Sequence, residues 1–394
     1  MNDVMADLHS GGRLDKKHSA LCKGGNMNTG KASSPTTLLH NMGQSLWLDN
    51  ITRKLLTSGT LKRYIKELSV TGLTSNPTIF DHAISKSDSY DAAIRTAHDG
   101  GMTSPEVIFF SLAIEDLQGA ADLFRPVYDQ TSGVDGFVSL EVSPLLAYDT
   151  ANTLAAAKEL FGRAKRPNLF IKIPGTKEGL PAIEEAIFSG IPVNVTLLFS
   201  PQQYVAAAEA YTRGIQRRIA AKLNPRVASV ASVFISRWDK AIMGKSPDSL
   251  RNKLGVAVGY KIYKAYRDLL GSAKWKKLIA GGAMPQRLLW ASTGTKDPSA
   301  PDTYYITALA APDTVNTMPE ETLLAFADHG KLGSAMTTDV ADADKILQQA
   351  AEAGFTVDKL GAQLQKEGAE SFVKSWTDLM KVVGQKSSAL AAAS

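Results

Sequence analysis

Short apolar runs alternate with longer amphipathic stretches along almost the whole chain, and no other feature restricts the fold as much. The runs are 46–49, 72–75, 136–142, 168–173, 193–198, 228–235, 287–292 and 304–308, eight in all. Between them, stretches such as 55–68, 144–164, 181–188 and 202–221 repeat apolar residues at helical spacing. A strand that is followed by a helix and then by a neighbouring parallel strand needs a right-handed crossover. The alternation therefore predicts a parallel sheet, and eight such units predict one closed (β/α)8 TIM-type barrel. An open doubly wound sheet is the alternative, but no Gly-x-Gly-x-x-Gly follows the first run. Ser143-Pro144 and Ser200-Pro201 each set a capping hydroxyl before a proline at the first helical position. Ser104-Pro105 opens a further helix towards Phe124. From 337 to 385 the pattern is helical and adds no strand, so extra C-terminal helices are expected over or beside the barrel.

The chain has 394 residues and is 44% hydrophobic, enough for one large core. Residues 1–36 are rich in Gly, Ser, Lys and Asn and lack the apolar segment of a secretory signal, so a flexible tail is expected there. Residues 37–394 then form the barrel domain with its C-terminal helices. No run of about 18 apolar residues occurs, so no membrane span is expected. The single cysteine, Cys22, excludes an internal disulfide and a cysteine zinc site, and it fits a reducing cytoplasm. The histidines, at 9, 18, 40, 82, 98 and 329, show no ligand spacing, so no metal is expected. Between Arg251 and Lys277 basic residues interleave with Tyr260, Tyr263, Tyr266 and Trp275, which is the pattern of a nucleic-acid stripe. Val256, Tyr260, Tyr263 and Leu270 also fall at helical spacing, however. The favoured reading is an amphipathic helix with its aromatics in the core, and no nucleic-acid partner.

Lys172 interrupts the apolar run Leu169-Phe170-Ile171-Lys172-Ile173-Pro174. Burying an unpaired ammonium is costly, and the neutral amine is the form that attacks a carbonyl. A strand-end lysine that snorkels to water is the bland alternative. Other strands decide between the two. Asp49, Glu141, Asn194 with Thr196, and Ser232 with Phe234 break the branched-apolar rule of a barrel interior. Each lies towards the C-terminal end of its strand, where barrel enzymes hold their reactive groups. An unsatisfied buried polar group costs about 1–3 kcal/mol, so five strands doing this together point to one polar site around Lys172. The composition suits aldol chemistry through an imine, with two carboxylates as proton carriers and amides and hydroxyls for sugar hydroxyls. Arg237 and Lys296, just beyond strands six and seven, are candidate phosphate cations.

At this point the chain resembles the transaldolase family. Gly72-Leu-Thr-Ser-Asn76-Pro-Thr-Ile-Phe80 is similar to the family's N-terminal signature, and Phe170-Ile-Lys172-Ile-Pro-Gly-Thr176 is similar to its lysine signature. The segments around Asp49, Glu141, Asn194, Thr196 and Ser232 to Arg237 follow in the family's order. The resemblance spans roughly 40–380. Trp290 to Lys296 and Ala311 to Pro319 look like the longer bacterial branch, which also occurs fused to a phosphoglucose isomerase. The resemblance implies transfer of a dihydroxyacetone unit between sugar phosphates in the pentose phosphate pathway, without a cofactor. It implies Lys172 as the imine lysine, Asp49 as the acid/base for C–C cleavage, and Glu141 with Thr196 around a catalytic water. Asn76, Asn194 and Ser232 would bind substrate hydroxyls, and Arg237 would bind phosphate. Much of the family has an arginine where this chain offers Lys296, which neutralises phosphate only as a point charge. Phe234 stands where related small aldolases tend to carry tyrosine, which favours transfer over release of free dihydroxyacetone. A product-releasing aldolase and a catalytically silent RNA-binding barrel are the competing readings. A monomer or a homodimer is expected.

Overall fold

The computed structural model describes residues 33–392. Eight parallel strands close into a barrel in sequence order. They are β1 (Gln44–Leu48), β2 (Val70–Leu73), β3 (Val138–Glu141), β4 (Leu169–Pro174), β5 (Val193–Leu198), β6 (Ser229–Phe234), β7 (Arg287–Ala291) and β8 (Thr314–Met318). Closure is made by β8 pairing with β1, Gln44 opposite Thr314 through Leu48 opposite Met318.

The barrel is the expected one, but its eighth strand is not 304–308. Tyr304–Ala308 is a short helix. Its β-prone Tyr-Tyr-Ile-Thr sequence is overridden by tertiary bonds, since Tyr305 Oη donates to Asp239 at 2.7 Å and Tyr304 Oη to the Asn252 carbonyl at 2.6 Å. The true strand, Thr-Val-Asn-Thr-Met, starts one residue after Asp313, which takes a positive φ of 61°. Other boundaries also move. The expected helix over 55–68 is two helices, Arg53–Thr57 and Thr60–Glu67, parted at Gly59 with φ 79°. Ser200 makes a full capping box with Gln203. Ser143 makes no side-chain cap; Pro144–Leu146 is a single 3-10 turn, and Asp149 caps the helix Thr150–Ala164 instead. Within the expected tail, Ser34 caps a helix that begins at Pro35, so the boundary at 36 falls too late. The rest of that tail, including Cys22, lies outside the described residues.

The inner wall is aromatic at mid-height, where the sequence rule anticipates branched residues. Phe170 stacks on Phe137 at 4.1 Å between centroids, and Trp47 lies 6.1 Å from Phe170. Gly72 makes room for that indole, because a Cβ there would come within 2.6 Å of Trp47 Cε2. At the amino-terminal floor, buried Asp135 accepts from Trp47 Nε1 at 2.8 Å and from Ser45 Oγ, with Arg287 3.8 Å away. Above the aromatic layer, register aligns Glu141, Lys172 and Asn194 on β3, β4 and β5.

The C-terminal helix, Val357–Ala392, buries Leu360, Leu364, Gly368, Phe372, Trp376, Leu379 and Val383, one stripe at spacings of three and four. It passes over the barrel's carboxyl end. Gln365 Nε2 donates to the carbonyls of Gly175 at 3.1 Å and Leu197 at 2.9 Å. Leu197 adopts a positive φ of 58° where the β5–β6 register slips. No described helix is long and apolar enough to cross a membrane.

Candidate active site

Lys172 is 5% exposed and Glu141 is 5% exposed, so both are withdrawn from water. Lys172 Nζ donates to Glu141 Oε2 at 2.9 Å and to the Ser75 carbonyl at 3.2 Å. The sequence suggested a buried amine without a partner; the closed sheet supplies one from the adjacent strand. Burial pushes the Glu141 carboxyl above its ordinary value, while Lys172 opposes that rise and the Asp49 charge adds to it. Two buried atoms beside the lysine, Glu141 Oε1 and Thr196 Oγ1, have no hydrogen-bond partner. Buried polar groups are normally paired, so both are available to a bound polar species.

Asp49 follows directly on β1 and is anchored by its own N–H donating to the Met318 carbonyl at 2.8 Å. Its Oδ1 accepts from Thr74 Oγ1 at 2.7 Å, and Thr74 Oγ1 lies 2.7 Å from Thr317 Oγ1. Thr74 has one hydroxyl proton and gives it to the carboxylate, so Thr317 is the donor to Thr74. Burial pushes the Asp49 carboxyl up; the Thr74 bond and then the Lys172 and Lys296 charges pull it back.

A cavity of about 130 Å³ opens at the carboxyl mouth. Asp49, Asn76, Lys172, Thr196, Ser232, Phe234, Arg237 and Lys296 all line it. Glu141 and Asn194 do not, and stand behind its surface. Asn194 Nδ2 donates to Ser139 Oγ at 3.1 Å, and its Oδ1 accepts from Ser232 Oγ at 2.6 Å, so Asn194 holds Ser232 from within the wall. Asn76 caps the helix Pro77–Ser85, its Oδ1 accepting from Ile79 N at 3.1 Å. That bond fixes the side chain at the rim, with its amide nitrogen left over for a ligand.

Arg237 sits in the helix Ser236–Ile242 that starts where β6 ends, half-buried, with its Cζ 5.3 Å from the Phe234 ring centroid. Lys296 stands on the loop after β7 with an exposed side chain. Neither cation makes an ion pair among the described residues. Desolvation lowers the pKa of both, and for Lys296 the Lys240 and Arg237 charges lower it further. Glu367 acts on Arg237, and Glu321 and Asp49 on Lys296, only at longer range, so two cations held near each other outside any ion pair form a site that favours an anion.

Thr74, Ser75, Thr317 and Phe372 escaped the sequence reading. Thr74 and Ser75 lie inside the motif that singled out Asn76, but a threonine or serine at a strand end is too ordinary to signal a role. Thr317 was lost with the misassigned eighth strand. Phe372 belongs to the apolar stripe of the C-terminal helix, where nothing separates it from core. No group of three or more potential metal-ligating His, Cys, Asp or Glu side chains gathers among the described residues.

A closed barrel with a buried lysine–carboxylate pair at its carboxyl mouth, and a second carboxylate across the cavity, is built as an amine-catalysed carbonyl enzyme. The chain belongs to the transaldolase/fructose-6-phosphate aldolase family, whose model matches residues 46–383. Its relatives include the transaldolase of Parafrankia sp., 42% identical over 363 residues that cover 90% of this chain and 98% of the relative. The transaldolase of Thermobifida fusca is 44% identical over 362 residues, with the same 90% and 98% coverage. Transaldolase 2 of Streptomyces coelicolor is 44% identical over 353 residues, covering 87% and 94%. The family match extends through most of the C-terminal helix, including Phe372.

Proposed function

We propose that the chain is a cytoplasmic transaldolase that moves a dihydroxyacetone unit from a ketose phosphate to an aldose phosphate through an imine on Lys172. The observation that carries this reading is the Lys172–Glu141 pair at 2.9 Å beneath a cavity lined by Asp49 and by two cations that form no ion pair among the described residues. Lys172 Nζ adds to the ketone carbon, and the carbinolamine loses water to give the iminium. Asp49 then takes the proton of the hydroxyl on the carbon beyond the scissile bond, the C–C bond breaks, and an aldose phosphate leaves. The enamine left on Lys172 attacks the aldehyde carbon of the second substrate, whose oxygen recovers the proton from Asp49. Water then releases the new ketose phosphate. Glu141, raised by burial, can accept the proton that Lys172 must shed before it attacks. Glu141 Oε1 and Thr196 Oγ1 are the atoms suited to hold the water that forms and hydrolyses the imine. Ser232 and Asn76 bind sugar hydroxyls, with Asn194 orienting Ser232. Arg237 and Lys296 take the phosphate.

Borohydride reduction in the presence of fructose 6-phosphate, followed by peptide mapping, tests the assignment. A stable adduct on Lys172 is expected; no adduct, or one on Lys177, would overturn it. Lys172→Ala is expected to abolish both the adduct and turnover while keeping a cooperative melt. Removing the amine leaves Glu141 buried without a partner, at a cost of about 3 kcal/mol at neutral pH. That cost is small below the ordinary glutamate value of 4.5, where the carboxyl is protonated in both folded and unfolded chains, and it grows as pH rises. The RNA-binding alternative is weakened by the basic stripe itself. Arg251, Lys261, Lys264 and Arg267 are each paired with a carboxylate, on Asp297, Asp344, Asp268 and Asp313. The helix there buries Val258, Ile262, Tyr263 and Tyr266, while Val256, Tyr260 and Leu270 are only half-buried, so its core face is rotated from the one expected.

A further inference from the structure

Among the mostly polar side chains that line the cavity stand two aromatic rings from separate parts of the fold. Phe234 comes from β6 and Phe372 from the C-terminal helix, with their ring centroids 6.4 Å apart. The Phe372 centroid also lies 5.5 Å from Lys172 Nζ and 6.0 Å from Arg237 Cζ, so one ring borders both the amine and the anion site. Phe372 is 5% exposed. The helix is tied to the rim on both sides of it. Gln365 donates to two strand-end carbonyls, and Ser375 Oγ accepts from Thr78 Oγ1 at 2.7 Å. The ring is thus held in place over the lysine.

We propose that Phe372 is a specificity-determining residue of the lysine site, keeping water out of the acceptor position so that the bound three-carbon unit passes to an aldehyde. This rests on the imine reading above. After C–C cleavage the enamine has two exits. In transfer, its nucleophilic carbon bonds to the acceptor's aldehyde carbon, and the new alkoxide takes the proton held by Asp49. In the competing exit, that proton reaches the same carbon through a water standing where the acceptor would. A second water then adds to the C=N bond, the C–N bond breaks, and free dihydroxyacetone and the Lys172 amine are returned. An apolar ring offers that relay water no hydrogen-bond partner on its outer side, so the second exit is starved while transfer is untouched. The quadrupole of the ring also favours the positive iminium over neutral species at this distance.

The test uses the full chain with fructose 6-phosphate as donor and erythrose 4-phosphate as acceptor. Free dihydroxyacetone and sedoheptulose 7-phosphate are measured in the same reaction. In Phe372→Ala the ratio of release to transfer is expected to rise roughly tenfold, the scale of one lost apolar contact in a partition between competing steps. Phe372→Val keeps more of the packing, covers the case in which the alanine variant does not fold, and is expected to raise the ratio less. A ratio that stays at the parent value in a folded variant, with both products falling in step, would overturn the proposal and leave Phe372 a packing residue. Failure of the imine reading would look different, because the parent chain itself would then give neither a Lys172 adduct nor transfer.

Discussion

Asp49 is set by opposing forces within a few ångströms. Burial drives its carboxyl towards the protonated form, and Thr74, donating at 2.7 Å, is the largest influence holding it ionised. A base must be ionised to act, so activity is expected to fall on acidification at a pH above the ordinary aspartate value of 3.8. Thr74→Val keeps the shape and removes the donor, so the carboxyl rises further and the acid limb moves to higher pH. At the acid end of the profile kcat/KM should drop roughly tenfold, the worth of one hydrogen bond to a charged group. A pH–rate profile for parent and variant checks this; a uniform loss at every pH would mean that Thr74 only packs. Lys172 could be picked out from sequence because a charge inside an apolar run conflicts with folding. Thr74 could not, because a threonine in a strand conflicts with nothing.

The C-terminal helix is the element that most changes the site. The helical pattern of 337–385 and its place over or beside the barrel were legible in the sequence; which end of the barrel it covers and which residues it touches were not. Gln365 is the residue that seats it, bonding to Gly175 and Leu197 beyond β4 and within β5. Gln365→Ala leaves two rim carbonyls without this donor and should cost about 2 kcal/mol. Faster hydrogen exchange in the helix and a lower yield of the borohydride adduct are expected together. Normal exchange beside a lower yield would place the effect elsewhere. The eighth strand teaches the converse lesson. Tyr304–Ala308 has the local preference of a strand, yet the Asp239 carboxylate and the Asn252 carbonyl capture its tyrosines, and Thr314–Met318 takes the place beside β1. Counting eight units gave the barrel despite one unit being misplaced, because closure depends on the number of strands more than on the identity of each.

Across the molecule the barrel divides its work between its ends. The carboxyl mouth holds two carboxyls that burial pushes upward in pKa, Asp49 and Glu141, while at the amino-terminal floor Asp135 is held by Ser45 and Trp47 with Arg287 nearby. Asp135→Ala strands the buried Trp47 indole N–H and removes the carboxylate that faces Arg287, which keeps its bonds to Ser45 and the Thr314 carbonyl; the loss should cost about 2 kcal/mol. Equilibrium unfolding should record that loss while KM for fructose 6-phosphate stays at the parent value. A changed KM would show that the floor and the mouth are coupled through the aromatic layer.

The sequence by itself determined the repeating strand–helix unit, the closed barrel and the strands that carry a polar residue at their ends. These follow from local periodicity, since a period of two assigns each strand residue to a face. That these polar residues gather around Lys172 was expected from the sequence; tertiary structure alone decided which of them bond to one another directly and which line the cavity. Glu141 and Lys172 are 31 positions apart, and Thr74 and Thr317 are 243 apart, yet each pair is in hydrogen-bond contact. Strand register and barrel closure bring them together, and both are settled by packing between distant segments. The same holds for Phe372, whose helical face is readable in the chain. That the face rests on Lys172 is fixed only by where the last helix crosses the barrel.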